Sequence, residues 1–432
     1  MNRRRFLQTA AASGAALFLP ILRPGPAGEQ SARADTPKKY EGPYFLIIHA
    51  GGGWDPTMVC DPKGDPINKQ FPKGQFGAAS GIKYAPLDYK DDGGKVVYSN
   101  QQFFDKWASK LLVVNGIDTT TGNHDTGTRA MWSGKVSDGY PTFSALVAAA
   151  KTPGNALGFI SNGGYEQTAG LTSLTRMGNV DVVRRIAYPT RLDPNNANYL
   201  VHSQPTWERI LKAQAERLDG MRRVETLPRV SRAMGSYYVA RATDNDLTQL
   251  VAQLPPQSQI DRATNPLHRQ SLVALASFKS GLGVAANLSI GGFDTHGNHD
   301  NAQGRALYTL LSGVDLILDE IKNQGLDGKV VVAVGSDFGR TPAYNAQNGK
   351  DHWNITSMLF TGPGITGGRQ VGGSDDGFKA LTVNATSLQP DPSGTRIRCD
   401  HVQRAMRKLA GVQESDAAKK FPVGAEELPL FG

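Results

Sequence analysis

Ten residues, Gly291 to Asp300, place two imidazoles and two carboxylates within seven positions: Asp294, His296, His299 and Asp300, flanked by Gly291, Gly292 and Gly297. Neutral imidazole nitrogen and carboxylate oxygen are ligands for zinc, manganese or iron, and a loop can wrap several around one ion. The competing reading is a polar loop whose Asp and His cap the next helix. Further along, Ser336, Asp337, Phe338, Gly339 and Arg340 close a strongly apolar run, and Asp351 and His352 precede Trp353. Asp337 reads either as a carboxylate aimed into a ligand crevice or as a helix N-cap; the Asp351–His352 pair taken alone reads as a surface or core histidine. Nearer the front stand Asp55, behind Gly51, Gly52 and Gly53, and a polar group from Asn123 and His124 through Asp125, Thr126, Gly127 and Thr128 to Arg129.

Strand ends must carry these residues. The β-branched and aromatic run 44–49 enters the glycine-rich turn before Asp55, the run 111–115 precedes the His124 group, and the run 329–335 precedes Asp337. Continuous apolar runs of this kind are strands of a parallel sheet buried on both faces. Shorter candidates cover 285–290 and 357–361, and an amphipathic helix is expected over 307–324. Strands alternating with helices predict a doubly wound α/β sheet, in which ligands bind beyond the carboxyl ends of the strands. Between 205 and 281 the pattern turns helical, with helices expected over 207–218 and 228–242, so this stretch is read as a helical insertion or cap. One more helix is expected over 400–410, and no internal repeat is present.

Taken together, Gly-Gly-x-Asp, a His/Thr-rich turn ending in Trp132, Ser133 and Gly134, then Asp294-Thr295-His296, then Ser336 to Pro342, then Asp351-His352 resemble the bacterial exported proteins of the domain of unknown function 1501 family, distant relatives of the alkaline phosphatase and sulfatase superfamily. The resemblance implies an alkaline-phosphatase-like α/β fold: a mostly parallel sheet with helices on both faces. It implies one or two divalent ions (zinc, manganese or calcium), with Asp55 and Asp337 sharing one position and Asp294, His296 or His299, and His352 sharing the other. Phe338 stands where a two-zinc relative would carry His, which implies a single ion or a second one weakly held. A hydroxyl nucleophile at a helix N-terminus would be Thr126 or Thr128, with Arg129 or Arg340 on the anion. The implied activity is hydrolysis of phosphate or sulfate esters; the alternative is a non-catalytic envelope binding or assembly protein on the same fold.

The N-terminus supplies an address. Arg3, Arg4 and Arg5 with Phe6 and Leu7, an apolar stretch over 9–22, and Ala32 and Ala34 around Arg33 follow the order of a twin-arginine signal peptide over 1–34. The apolar stretch, interrupted by Gly14 and Pro20, is short for a span of about 20 residues; an uncleaved anchor is the competing reading. The expectation is a periplasmic or otherwise extracytoplasmic protein, 35–432, that engages the twin-arginine machinery, has no stable membrane span, and acquires its metal before crossing. Removing 1–34 removes five arginines and one glutamate, so a net charge of +8 falls to +4. That is no footprint for nucleic acid, which needs clustered Lys and Arg on one face. Cys60 and Cys399 are read either as one disulfide or as two buried thiols.

Overall fold

In this computed structural model, residues 39–153, 155, 157–193, 195–227 and 244–432 are described. The signal stretch 1–34 and the helix expected over 228–242 lie outside them.

Seven strands build the central sheet: β1 (Tyr44–Ala50), β2 (Leu112–Asp118), β3 (Phe159–Ser161), β4 (Ala285–Ile290), β5 (Val330–Ser336), β6 (Ile355–Thr361) and β7 (Arg369–Gly372). Their spatial order is β7-β2-β6-β5-β1-β4-β3. β1 pairs in parallel with β4 and β5, β3 with β4, and β7 with β2. β6 alone is reversed, antiparallel to both β2 and β5. The runs are mostly apolar and buried because the sheet is covered twice. Along β1, Leu46 and Ile48 feed one core while Phe45 and Ile47 feed the other, as the two-residue period of a strand requires.

The first face is covered by α1 (Asn100–Trp107), and the second by α2 (His124–Ser133) and α3 (Phe143–Lys151). α4 (Val180–Ala187), α5 (Gln204–Val224), α6 (Asp244–Gln253) and α7 (Gln257–Arg262) follow, and α8 (Pro266–Ser280) and α9 (His299–Asn323) return to the first face. α10 (Cys399–Leu409) and α11 (Asp416–Lys420) complete the second. The doubly wound, mostly parallel α/β architecture is therefore observed. Within the helical stretch expected over 205–281, α8 packs directly on the sheet through Leu272, Leu275 and Phe278. α9 starts about two turns earlier than its apolar pattern predicts, because the buried positions there are the polar His299 and Gln303. No helix among the described residues is long and apolar enough to cross a membrane. Cys60 and Cys399 are both buried and unbridged, which decides for two thiols.

Candidate metal centre

The carboxyl ends of β1, β4 and β5 open into loops held against one another by close backbone approach. Ser336 Oγ donates to Ala50 O and accepts from Gly53 N (3.1 Å) and Trp54 N (2.9 Å), pinning the glycine turn. Gly52 and Gly53 have φ of +119° and +83°, and a Cβ on Gly52 would lie 2.5 Å from Asp294 N. Only glycine brings the first loop this near to the loop after β4. α2 begins at His124, its N-cap Asn123 accepting from Thr126 N at 3.1 Å. Gly127 lets α2 sit on the loop after β5, since a Cβ there would be 2.5 Å from Asp337 O. The short ribbon Gly339–Arg340 with His352–Trp353 brings His352 to the same place.

At that place acceptors face acceptors. His352 Nδ1 lies 2.6 Å from Gly122 O, a carbonyl that can only accept, so Nδ1 carries the proton and Nε2 a lone pair. His296 Nδ1 donates to Asp351 Oδ1 (2.7 Å) and His124 Nδ1 to Asp337 Oδ2 (2.6 Å), freeing both Nε2 atoms. These three Nε2 atoms and the Asp294 carboxylate converge. His296 Nε2 is 2.9 Å from His352 Nε2 and 3.0 Å from Asp294 Oδ1; His352 Nε2 is 3.3 Å from Asp294 Oδ1, and His124 Nε2 is 3.5 Å from Asp294 Oδ2. Ligand atoms of His124, Asp294 and His352 all lie within 4.8 Å of one another. A proton on His296 Nε2 would serve one contact among these, whereas a divalent cation among His124, Asp294 and His352 would take up the lone pairs that face one another there. Each imidazole is also backed by a carboxylate or carbonyl on its far nitrogen, the support metal-bound histidines carry. The donor set therefore fits a divalent ion.

The surrounding charges keep the set ready. Burial pushes the Asp294 carboxyl up, but the Arg340 guanidinium, 2.7 Å from Oδ1, and the imidazoles outweigh it and hold Asp294 ionised, below the usual carboxylate range. Hydrogen bonds from His296 and then Asn345 lower Asp351 likewise. Behind His124, Asp337 also accepts from Gly52 N (3.1 and 3.2 Å) and from His49 Nε2 (3.2 Å). The Trp132 indole donates to His49 Nδ1 at 2.9 Å, which fixes His49 as the neutral Nε2–H tautomer; burial pushes its pKa down in the same sense.

Of the residues singled out from sequence, Asp294, His296 and His352 come together here, while Asp337 sits one step behind, occupied by three donors. Asp55 and His299 are elsewhere. Asp55 is fully buried, with Lys350 Nζ at 2.6 Å, His299 Nε2 at 3.0 Å, and Thr57 N and Oγ1 at 2.9 and 2.6 Å. Its acceptor sites are filled by protein donors, so it is not part of the converging set. Arg340 is likewise spent, on Gly53 O, Lys350 O, Gly52 O and Asp294. Thr128 and Arg129 line an adjoining cleft of about 700 Å³ together with His49, Asp125, Tyr165 and Gly291. Arg129 donates there to Val136 O and Asp138. Thr126 lies in the first turn of α2. Sequence reasoning passed over His124 as a ligand, His49 as a support and Lys350 altogether. The signal for His124 was its place beside a glycine-containing turn at a strand's carboxyl end.

Among solved structures, the chain is similar to Ps i-CgsB in complex with k-i-k-neocarrahexaose (9% identity, 90% of this chain and 75% of that one, TM-score 0.40). It is also similar to the lipoteichoic acid synthase LtaP from Listeria monocytogenes (7%, 87% and 74%, TM-score 0.39) and a putative sulfatase from Bacteroides thetaiotaomicron (12%, 90% and 76%, TM-score 0.35). Comparison with curated proteins found no match. The family described as Protein of unknown function (DUF1501) matches residues 45–389, from the first strand through the loops that bear every converging ligand, and the chain belongs to that family.

Proposed function

We propose that the chain is an extracytoplasmic, divalent-metal-dependent hydrolase of phosphate or sulfate esters. The observation that carries this reading is the convergence of three imidazole Nε2 lone pairs on an ionised Asp294 that is about half exposed, where an incoming ligand can reach it. The chemistry a divalent ion supplies when bound is polarisation of an ester oxygen and a water acidic enough to attack near neutral pH. Asp351, Gly122 and Asp337 orient His296, His352 and His124 and keep each in the metal-binding tautomer. The adjoining cleft has room for the alcohol part of an ester. Arg129 faces it through a pair with Asp138, whose side chain is 89% exposed; such a pair is weak, so an anionic ester can displace it. Thr128 on the same wall, Thr126 in the preceding turn, or a water delivers the attack. The signal stretch supports twin-arginine export, and fractionation of a variant with Arg3 and Arg4 both changed to Lys is expected to leave the protein in the cytoplasm.

The decisive experiment combines metal analysis of the purified protein with assays on aryl phosphates, phosphodiesters and aryl sulfates. Asp294→Asn and Thr128→Ala serve as comparisons. Neither bound metal nor turnover in the wild type would remove the proposal. The second reading, a non-catalytic binding protein, is favoured by Phe338. Its buried ring lies 4.9 Å from the His124 ring and 4.5 Å from that of His352, and so supports them without ligating. A tightly held ion without hydrolysis of any of the three ester classes would decide for it.

A further inference from the structure

Behind the converging ligands lies a second cluster, in which a buried carboxylate is met by protein donors. Asp55, His299 and Lys350 have fully buried side chains. The Asp55 carboxylate accepts from Lys350, His299 and both the amide and hydroxyl of Thr57. Thr295 Oγ1, 2.7 Å from His299 Nδ1, donates there and accepts from Gln303 Nε2, while Asn68 Nδ2 donates to Thr57 Oγ1. Lys350 Nζ also lies 5.1 Å from the centroid of the Tyr344 ring, within cation–π range. Lys350 ties the ligand-bearing segments together through its backbone as well: its N donates to Thr295 O (3.1 Å), its O accepts from Arg340 (3.0 Å), and Asp351 and His352 follow directly.

We propose that Lys350 is a positioning residue that serves as a built-in cation. Its ammonium takes the place beside Asp55 that a second ion would need, so the centre is mononuclear, and its clamp on Asp55 and Thr295 sets Asp351 and His352 against Asp294. This rests on reading the four converging groups as an ion site. It adds the number of ions and the residue that fixes that number.

The test uses the full chain, stripped with chelator and titrated calorimetrically with Mn²⁺ and Zn²⁺, with bound metal counted by mass spectrometry. Wild type is expected to take one ion per chain and to give the Mn²⁺ resonance of an isolated centre. Lys350→Met leaves the buried Asp55 carboxylate without its counter-charge, which disturbs the loops that set His352 against Asp294, and is expected to weaken that ion by about tenfold or more. Removing both charges, in Asp55→Asn with Lys350→Met, is expected to return affinity to within about threefold of wild type with the count still one. A simple packing defect would not be repaired by a second substitution. Should Lys350→Met fail to fold by near-ultraviolet circular dichroism, the count and affinity of the double variant decide. Two ions in wild type, one of them lost in Asp55→Asn, would overturn the proposal; so would wild-type affinity in a folded Lys350→Met, or a double variant no tighter than the single. No ion in wild type, with Asp294→Asn indistinguishable from it, would instead overturn the site reading beneath.

Discussion

Asp351 touches the converging set only through His296, yet its carboxylate decides which nitrogen of that ring bears the proton. Asp351→Asn leaves an amide that can present either oxygen or nitrogen to Nδ1, and is expected to weaken Zn²⁺ binding about 10- to 100-fold, measured by competition with a chromophoric chelator. Asp376→Asn, at an exposed ion pair with Lys73, is the comparison and should leave binding unchanged. Asp55→Asn alone strands the buried Lys350 ammonium, a loss of about 3–5 kcal/mol in urea unfolding. At this scale, Asp294, His296 and His352 were legible because imidazole and carboxylate in glycine-flanked loops have few other uses. Asp55 and His299 have the same residue types but are paired with each other and with protein donors, and a single sequence does not tell those surroundings apart. Lys350 was invisible because Asn348, Gly349 and Lys350 read as a solvated turn.

Five of the seven strands were legible to within three residues, since a buried parallel sheet writes itself as apolar runs, whereas the short β3 and β7 carry too few residues to show such a run. The loops that join them were legible only as glycine-rich. What the glycines do appears in the contacts: Gly127 is an ordinary helical residue whose missing Cβ lets α2 rest on the Asp337 carbonyl. Gly127→Ala is therefore expected to destabilise by about 1–3 kcal/mol by overpacking, despite the better helix propensity of alanine, and to loosen metal binding through His124. Gly220→Ala, in α5 with open space around the added carbon, should be neutral or slightly stabilising. Equal unfolding midpoints for the two variants would contradict the packing account. The start of α9 escaped the apolar pattern for a related reason: its buried face in the first turns is made of hydrogen-bonding side chains serving Asp55, Thr295 and Phe293.

For the molecule as a whole, the buried charge cluster sets an acid limit. Burial lowers the pKa of His299, only partly offset by Asp55, so the folded state keeps this ring neutral. Burial raises Asp55, but Lys350 and His299 outweigh it and hold its carboxyl far below the usual range. Both groups bind fewer protons folded than unfolded, so stability rises with pH. The His299 contribution is present above about pH 6.5 and fades below it; that of Asp55 is lost below about pH 4. Urea midpoints should hold from pH 8 to about pH 6.5 and fall from there to pH 4, and a flat profile across that lower range would exclude the cluster as the cause. Burial likewise raises the pKa of both thiols, Cys60 and Cys399. Neither should react with a maleimide in the native state, and both should after denaturation.

Three of the converging ligands stand at positions 124, 294 and 352, separated along the chain by 170 residues (294 − 124) and 58 residues (352 − 294). A cation bound among them would be a cross-link closing two long loops, and it would stabilise by being absent from the unfolded chain, where the same side chains are far apart. Thermal midpoints should then climb with the logarithm of free metal concentration, and chelation should expose the loops after β4 and β5 to proteolysis before the sheet gives way. In that sense such an ion would tie together distant parts of the polypeptide, and its loading would turn the loops into a single rigid rim.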